Sequence, residues 1–424
     1  MNICKCFQCE TCETLIDCRI GMSNRDIQPF QFACPVCEER ITFVFGTKNG
    51  HLTGAIDIPE FDSPFTGKNH FVDLHLDFPV YFGKYQKGIT TFFRVIREIG
   101  QDSYFHLAAR LELLNNLHPM ERDLERIITQ YKQGNISNFE KSCAKIPNIK
   151  LKSHKREDIL AALYSATSIM SFPFTLHEEN ENLVINLPKI YMYLHENHTE
   201  KTFNFINEII SNKFLMNLHY DCLSLYPKLI KFDLPLRTAF FYDYIHEDKY
   251  RPVPVRVSTA DFDLCNNYYK DLAEVFARQL TLVAGLNNLL KRADHNEFEA
   301  SLKMTKKQEV RKELISLNTF ADIDLGQKIK FIDDCFYSIN KDAIDSRLRN
   351  GIAHYKYEYK ESTQKITYYP AKEGMERNKY EEISFMEFLR KTLLLFREVH
   401  NLNHLIKATF FYEILILKKI KRPN

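Results

Sequence analysis

Apolar and polar positions change their spacing along the chain, and the changes predict where strands give way to helices. Ile41-Thr-Phe-Val-Phe45 is rich in β-branched and aromatic residues and predicts a strand, with Asn49-Gly50 as the turn after it. From Leu52 to Tyr85 the chain is turn-rich and strand-like, punctuated by Pro59, Pro64 and Pro79. Within it, Asp73-Leu-His-Leu-Asp-Phe78 alternates polar and apolar residues, the pattern of a half-buried strand. From about Thr91 the period becomes helical, with Phe92, Phe93, Val95, Ile96 and Ile99 on an apolar face. Further helices are predicted over Tyr104–Leu117, Glu121–Tyr131, Glu157–Met170 and Lys201–Asn217, the third ended by Ser171-Phe-Pro173.

Tyr250-Arg-Pro-Val-Pro254 breaks any helix and predicts a domain boundary. Ser258-Thr-Ala-Asp261 then offers capping residues for a long helix over Asp261–Arg292, where Leu272, Val275, Phe276, Leu280, Val283 and Leu290 recur at helical spacing. Such a helix packs on a partner element or on a second copy of itself. Another helical stretch starts near Gln327. A strand-like hairpin follows at His354–Tyr359 and Lys365–Tyr369, and a closing helix at Ser384–Leu417. The pattern as a whole predicts a mainly α protein. Its N-terminal ribbon (1–48) and β-rich segment (49–90) precede an α-rich scaffold or sensor region (91–250) and a C-terminal helical bundle with a β-hairpin insertion (251–424).

Composition adds limits. Apolar residues make up 45% and charged residues 26% of the 424, the balance of a folded globular chain. With 57 basic against 55 acidic residues, any phosphate-binding surface must be a local patch. The best apolar run, Ala408–Leu417, is interrupted by Glu413 and is far short of the roughly 20 residues needed to span a bilayer. Cysteines and a lysine stand where the apolar stretch of a signal peptide would be. The expectation is a cytoplasmic protein with reduced thiols and no membrane partner.

Seven of the eleven cysteines lie in the first 37 residues, and clustering of this kind in a reducing compartment favours metal over disulfides. Phe7-Gln-Cys9-Glu-Thr-Cys12-Glu-Thr-Leu-Ile16 and Phe32-Ala-Cys34-Pro-Val-Cys37-Glu-Glu-Arg-Ile41 are near-repeats. The pattern resembles a zinc ribbon, in which two Cys-x-x-Cys knuckles share one tetrahedral zinc. Cys6 and Cys9 also form a Cys-x-x-Cys pair, but only Cys9 and Cys12 match the flanks of the second knuckle. The expected ligands are therefore Cys9, Cys12, Cys34 and Cys37. Whether Cys4, Cys6 or Cys18 also binds metal is left open. Four thiolates leave no coordination position for water or substrate, so the zinc is expected to be structural.

The second signal is Ser346-Arg347-Leu348-Arg349-Asn350-Gly351-Ile352-Ala353-His354. A histidine moves protons near neutral pH, and an arginine holds phosphate through a planar fork. The two together suit RNA cleavage by 2′-hydroxyl attack without a catalytic metal. Arg349 and His354, five residues apart, are splayed on an ideal helix, and a turn at Gly351 would bring them to one cleft. Asn350 would bond the phosphate or orient His354. Arg349-Asn350-x-x-x-His354 resembles the R-x-x-x-x-H motif of the HEPN superfamily of helical ribonucleases, over approximately residues 256–424. The resemblance implies catalysis by Arg349, Asn350 and His354, an RNA substrate, and a homodimer or higher homo-oligomer. With the ribbon at the other end, the domain order is similar to the ring-activated zinc-finger RNase class of anti-phage defence proteins. That likeness implies abortive infection triggered by a phage structural protein.

The alternative is a non-catalytic RNA- or protein-binding adaptor whose ribbon docks a partner. Around the motif, Arg347 suits a solvated surface, and Asp342 and Asp345 suit helix capping. Lys356 and Lys360 alternate with Tyr355, Tyr357 and Tyr359, a pattern that fits either single-stranded RNA or a strand with one core face. His219, His246, His295, His400 and His404 lack ligand spacing and are read as structural. The basic tail of Lys418, Lys419, Lys421 and Arg422 is read as a solvated end.

Overall fold

A computed structural model describes residues 2–46, 50–176, 181–245, 255–259, 262–304, 310–333, 335–370 and 378–417. These residues are mostly helical, with four small sheets among them. None of the described helices is long and apolar enough to cross a membrane. The expected turn residue Asn49, the Tyr250–Pro254 boundary, His246 and the basic tail lie outside the described residues.

The chain divides into two compact units, each drawn from three separate stretches. The first comprises Met1–Pro119, Lys231–Tyr268 and Arg347–Leu393; the second comprises Met120–Ile230, Tyr269–Ser346 and Leu394–Asn424.

Two sheets build the N-terminal part of the first unit. In one, strand Asn2–Cys9 pairs antiparallel with Leu15–Gly21 and with Ala55–Ile58, and Leu15–Gly21 pairs parallel with His70–His75. In the other, Arg40–Phe45 pairs antiparallel with Gln28–Ala33 and Leu52–Thr53. Period-two burial decides the register: Ile16, Cys18 and Ile20 join Phe30, Phe32, Ile41, Phe43, Val72 and Leu74 in one core. The expectation of a half-buried strand at Asp73–Phe78 fails in an informative way. Strand residues His70–His75 carry its first half, and the polar positions Asp73, His75 and Asp77 are also buried. Each finds partners there. Arg19 grips Asp73 through both oxygens at 3.0 and 2.6 Å, and the Thr91 hydroxyl donates to the same carboxylate. Arg237, fully buried, donates to Asp77 at 2.7 Å. Buried charges are tolerated when paired and hydrogen-bonded, which alternation alone cannot reveal.

The long helix Phe262–Arg292 matches the expected one closely; the expected Ser384–Leu417 helix is an α-helix over Phe385–Tyr412 that continues as a π-helical turn over Glu413–Leu417. Other expectations are modified. The Arg156–Thr175 helix runs through Pro173 to bury Phe174, where the sequence predicts a stop at Met170. The expected Lys201–Asn217 helix is two, Thr199–Ser211 and Phe214–Lys231, divided at Lys213, whose φ is +63°. The expected helix from Gln327 into the motif stops at Phe331. Beyond it Arg292 holds Asp333 at 2.9 and 3.0 Å, and the Tyr337 hydroxyl donates to Glu398, so side-chain pairs fix this stretch outside a helix.

In the second unit His219 and His400 are buried, and half-buried His404 meets the latter. His219 Nδ1 lies 3.1 Å from the Tyr164 hydroxyl, His400 Nδ1 lies 2.9 Å from the Tyr226 hydroxyl, and the Nε2 atoms of His400 and His404 are 3.3 Å apart. Burial pushes His219 and His400 down to about 3 and His404 to about 4. In the unfolded chain each titrates near 6.5, so between that value and the folded one the unfolded state holds more protons. Stability is therefore lost as pH falls below about 6.5, by up to about 1.4 kcal/mol per pH unit for each histidine. Urea titrations at pH 7.5 and 5.0 are expected to show this loss; equal stabilities at the two values would refute it.

Candidate functional site

Each Cys-x-x-Cys knuckle is the tip of a hairpin. Cys9 ends one strand, and its carbonyl accepts from the Glu13 N–H at 3.0 Å; the Cys34 carbonyl accepts from the Glu38 N–H at 3.1 Å. Glu13 and Glu38 both adopt positive φ, 58° and 66°, so the near-repeat in sequence is a repeat in backbone. The two tips face one another. The sulfurs of Cys9, Cys12, Cys34 and Cys37 all lie within 4.8 Å of one another, with Cys9 to Cys37 at 3.5 Å and Cys12 to Cys34 at 3.6 Å. Zinc with Zn–S bonds of about 2.3 Å sets its sulfurs about 3.8 Å apart, so this donor set is compatible with a structural zinc. Cys4, Cys6 and Cys18 are not part of the cluster. Burial pushes the Cys6 thiol up to about 11 and Cys18 well above its ordinary value, which keeps both as neutral thiols.

The motif occupies the short helix Ser346–Ala353. Leu348, Gly351 and Ile352 are buried and anchor it, whereas Arg349 is partly exposed and Asn350 and His354 are exposed. Gly351 does not make the expected turn; it is helical. A Cβ there would sit 3.1 Å from the Tyr368 Cβ and 3.3 Å from the Lys356 carbonyl oxygen, so glycine lets the following hairpin lie against the helix.

The chain reverses one residue beyond His354. The Lys356 N–H donates to the Gly351 carbonyl at 2.7 Å and the Tyr355 N–H to the Ile352 carbonyl at 3.3 Å, with Tyr355 at φ +55°. This is the Schellman ending of a helix, with tyrosine in the left-handed position where glycine is usual. His354 is thereby held at the helix end as its cap. Arg349 Nη1 donates to Asn350 Oδ1 at 3.2 Å. Among the described residues no hydrogen bond joins Arg349 to His354, and with Gly351 helical the two stay five residues apart along one helix.

Tyr355 is 74% exposed. A non-glycine residue in the left-handed region costs about 1–2 kcal/mol. Tyr355→Gly is expected to raise stability by about 1 kcal/mol, measured by chemical denaturation. A loss of stability would mean that contacts of the ring outweigh the backbone strain.

The residues around the motif sort themselves clearly. Arg347 pairs with Glu381 at 2.5 Å on the surface. Asp345 stands just before the first residue of the motif helix, and no hydrogen bond joins Asp342 or Asp345 to His354 among the described residues. Strand Tyr357–Lys360 pairs with Lys365–Tyr368, and that strand pairs with Glu381–Ser384, a third strand the sequence did not announce. Tyr359 stacks on Phe262 at 4.6 Å and Tyr357 meets the same ring at 5.4 Å, so these two tyrosines form the core face of the hairpin.

Sequence reasoning missed what supports this hairpin. At its tip Lys360 lies 2.9 Å from Glu38, and the Ser362 hydroxyl donates to Glu38 at 2.9 Å. Lys360 holds the Glu38 carboxyl below its usual range. Glu361 accepts from Arg40 at 2.9 Å and from Gln31 at 2.6 Å. The buried Gln364 side chain bonds both the N–H and the carbonyl of Val257. The second knuckle and the hairpin that follows His354 are thus tied together. The near-repeat was the one available signal, since it marks Glu38 as a knuckle residue but not what Glu38 touches.

No family model, curated protein or solved structure matches this chain.

Proposed function

We propose that the protein is a metal-independent endoribonuclease that uses Arg349, Asn350 and His354. The observation that carries the reading is His354 itself, an exposed imidazole fixed at a helix end four residues after Asn350, whose side chain accepts from Arg349. In the proposed reaction the RNA 2′-oxygen attacks its adjacent phosphorus as it loses its proton, and the 5′-oxygen of the next nucleotide leaves as it gains one. The products carry a 2′,3′-cyclic phosphate and a 5′-hydroxyl. Arg349 holds the non-bridging oxygens, whose charge grows in the transition state. One imidazole cannot be base and acid at once, so a second copy of His354 supplies the other proton transfer in a homodimer. Zinc bound by Cys9, Cys12, Cys34 and Cys37 would hold the ribbon closed and take no part in the chemistry.

The similarity in domain order to ring-activated zinc-finger RNases supports a role in anti-phage defence. In that role the enzyme acts on cellular RNA once a phage structural protein assembles it. The link from Glu38 to Lys360 and Ser362 offers a direct route from the ribbon to the motif hairpin. The test is RNA cleavage, with EDTA present only briefly, by wild type, His354→Ala and Arg349→Ala, each with and without lysate of phage-infected cells. Cleavage by wild type alone, leaving cyclic phosphate ends, supports the reading. No cleavage by folded, zinc-loaded protein under any condition would favour the binding adaptor.

A further inference from the structure

The polar face of the His70–His75 strand leads into a cleft of about 470 Å³ in the first unit, which shares no residue with Arg349, Asn350 or His354. Its floor holds His75 and Asp77, which are 6% and 5% exposed. His75 Nδ1 accepts from the Asp77 backbone N–H at 3.0 Å. Burial lowers the His75 pKa, which keeps the ring neutral at pH 7. A neutral imidazole that accepts at Nδ1 carries its proton on Nε2. That Nε2–H makes no hydrogen bond among the described residues. Asp77 Oδ1 takes both contacts from Arg237, at 2.7 and 2.6 Å, and Oδ2 makes no hydrogen bond among the described residues. A donor on His75, the last residue of the strand, and an acceptor on Asp77, two residues beyond it, therefore line the same cleft, each with bonding capacity to spare for a ligand.

The walls are aromatic. Phe78 lies 4.6 Å from the His75 ring and 6.0 Å from Tyr104, and Phe92 meets Tyr104 edge-on at 5.1 Å. At the mouth Phe92 and Phe93 are 39% and 59% exposed. No lysine or arginine is among the described lining residues, and Asp77 on the floor carries a negative charge that disfavours a phosphate there. Ligand sites of about 300–1,000 Å³ with apolar walls and a few convergent polar groups are the usual design for small molecules.

We propose that this cleft binds a neutral planar heterocycle through a lactam edge, as in the uracil, hypoxanthine or guanine base of a nucleoside. The ring carbonyl accepts from His75 Nε2–H, the neighbouring ring N–H donates to Asp77 Oδ2, and Phe92 stacks on the exposed face. A lactam edge presents an acceptor beside a donor, which is the complement of the pair on the floor.

Calorimetric titration and thermal shift of the full-length protein with uridine, inosine and guanosine test this directly. At least one is expected to bind with a Kd below about 1 mM and to raise the melting temperature. When uridine is the ligand, 3-methyluridine, which lacks the ring N–H, is expected to bind about ten-fold more weakly or worse; the N1-methyl derivative is the matching control for inosine or guanosine. His75→Phe removes the donor and is expected to lose binding about ten-fold. Phe92→Ala is expected to weaken binding about ten-fold while leaving the unliganded melting temperature in place, which keeps the test decisive if His75→Phe fails to fold. The proposal is overturned if none of the three nucleosides binds at about 1 mM. It is equally overturned if the N-methylated base binds as well as its parent, or if Phe92→Ala binds as wild type does.

Discussion

Replacing His354 by alanine is expected to lower RNA cleavage about 10²–10⁴-fold, the range contributed by a positioned general acid or base, without moving the melting temperature. Selectivity is what makes this result informative. His354 is exposed, and its place at the helix end is fixed by backbone bonds from Tyr355 and Lys356, which an alanine leaves intact. Substituting the buried neighbours Leu348 or Ile352 would instead lower activity by unfolding the helix. Arg349→Lys separates positioning from charge: lysine keeps the cation but loses the planar fork, and is expected to retain only part of the rate. If His354→Ala cleaves RNA at the wild-type rate, the proposed chemistry is wrong and the adaptor reading replaces it.

Cys34→Ser is expected to abolish a stoichiometric zinc and to unfold the ribbon. Binding free energy at a four-thiolate site is folding free energy, on the order of 10 kcal/mol at neutral pH. Cys34 is fully buried at the turn between strands Gln28–Ala33 and Arg40–Phe45, and its backbone N–H donates to Glu39 at 2.8 Å. Elemental analysis of the purified protein should give one zinc per chain for wild type and none for Cys9→Ser, Cys12→Ser, Cys34→Ser or Cys37→Ser. Cys4→Ser, outside the cluster, should keep its zinc. Equal zinc in Cys34→Ser and wild type would remove the site. Because Glu38 pairs with Lys360 and Ser362, zinc loss is also expected to slow RNA cleavage, although zinc takes no part in the proposed chemistry.

The parts of the molecule legible in the sequence are those governed by local rules. The four-cysteine cluster followed from a spacing and its flanking residues. The two long helices followed from period and capping residues; three of their four ends fell within about two residues, the ordinary spread for helix boundaries, whereas the closing α-helix ends at Tyr412, five residues before the expected Leu417, and continues as a π-helical turn. What stayed hidden depends on partners far away in the chain. Nothing local marks Asp73, His75 and Asp77 as buried, because Arg19 and Arg237 supply the charges that permit it. The break after Phe331 depends on Arg292 and Glu398. Gly351 looked like a turn because glycine often makes one; its role is to admit Tyr368, which lies on a strand still to come. The turn fell instead to Tyr355, a residue type that advertises no such backbone.

The bonds between Arg40 and Glu361 join positions 321 residues apart. At a ribosomal rate of about 5–20 residues per second, roughly 15–65 s pass between the synthesis of these two residues. The second knuckle is therefore made long before the hairpin it holds. During that interval Arg40, Gln31 and Glu38 lack these later partners, and the ribbon is held by the closure of its hairpin tips and by the core its own strands build up to Leu76. His354 is also made before Glu361, so a chain stalled between them carries the whole motif without the support that the ribbon later provides.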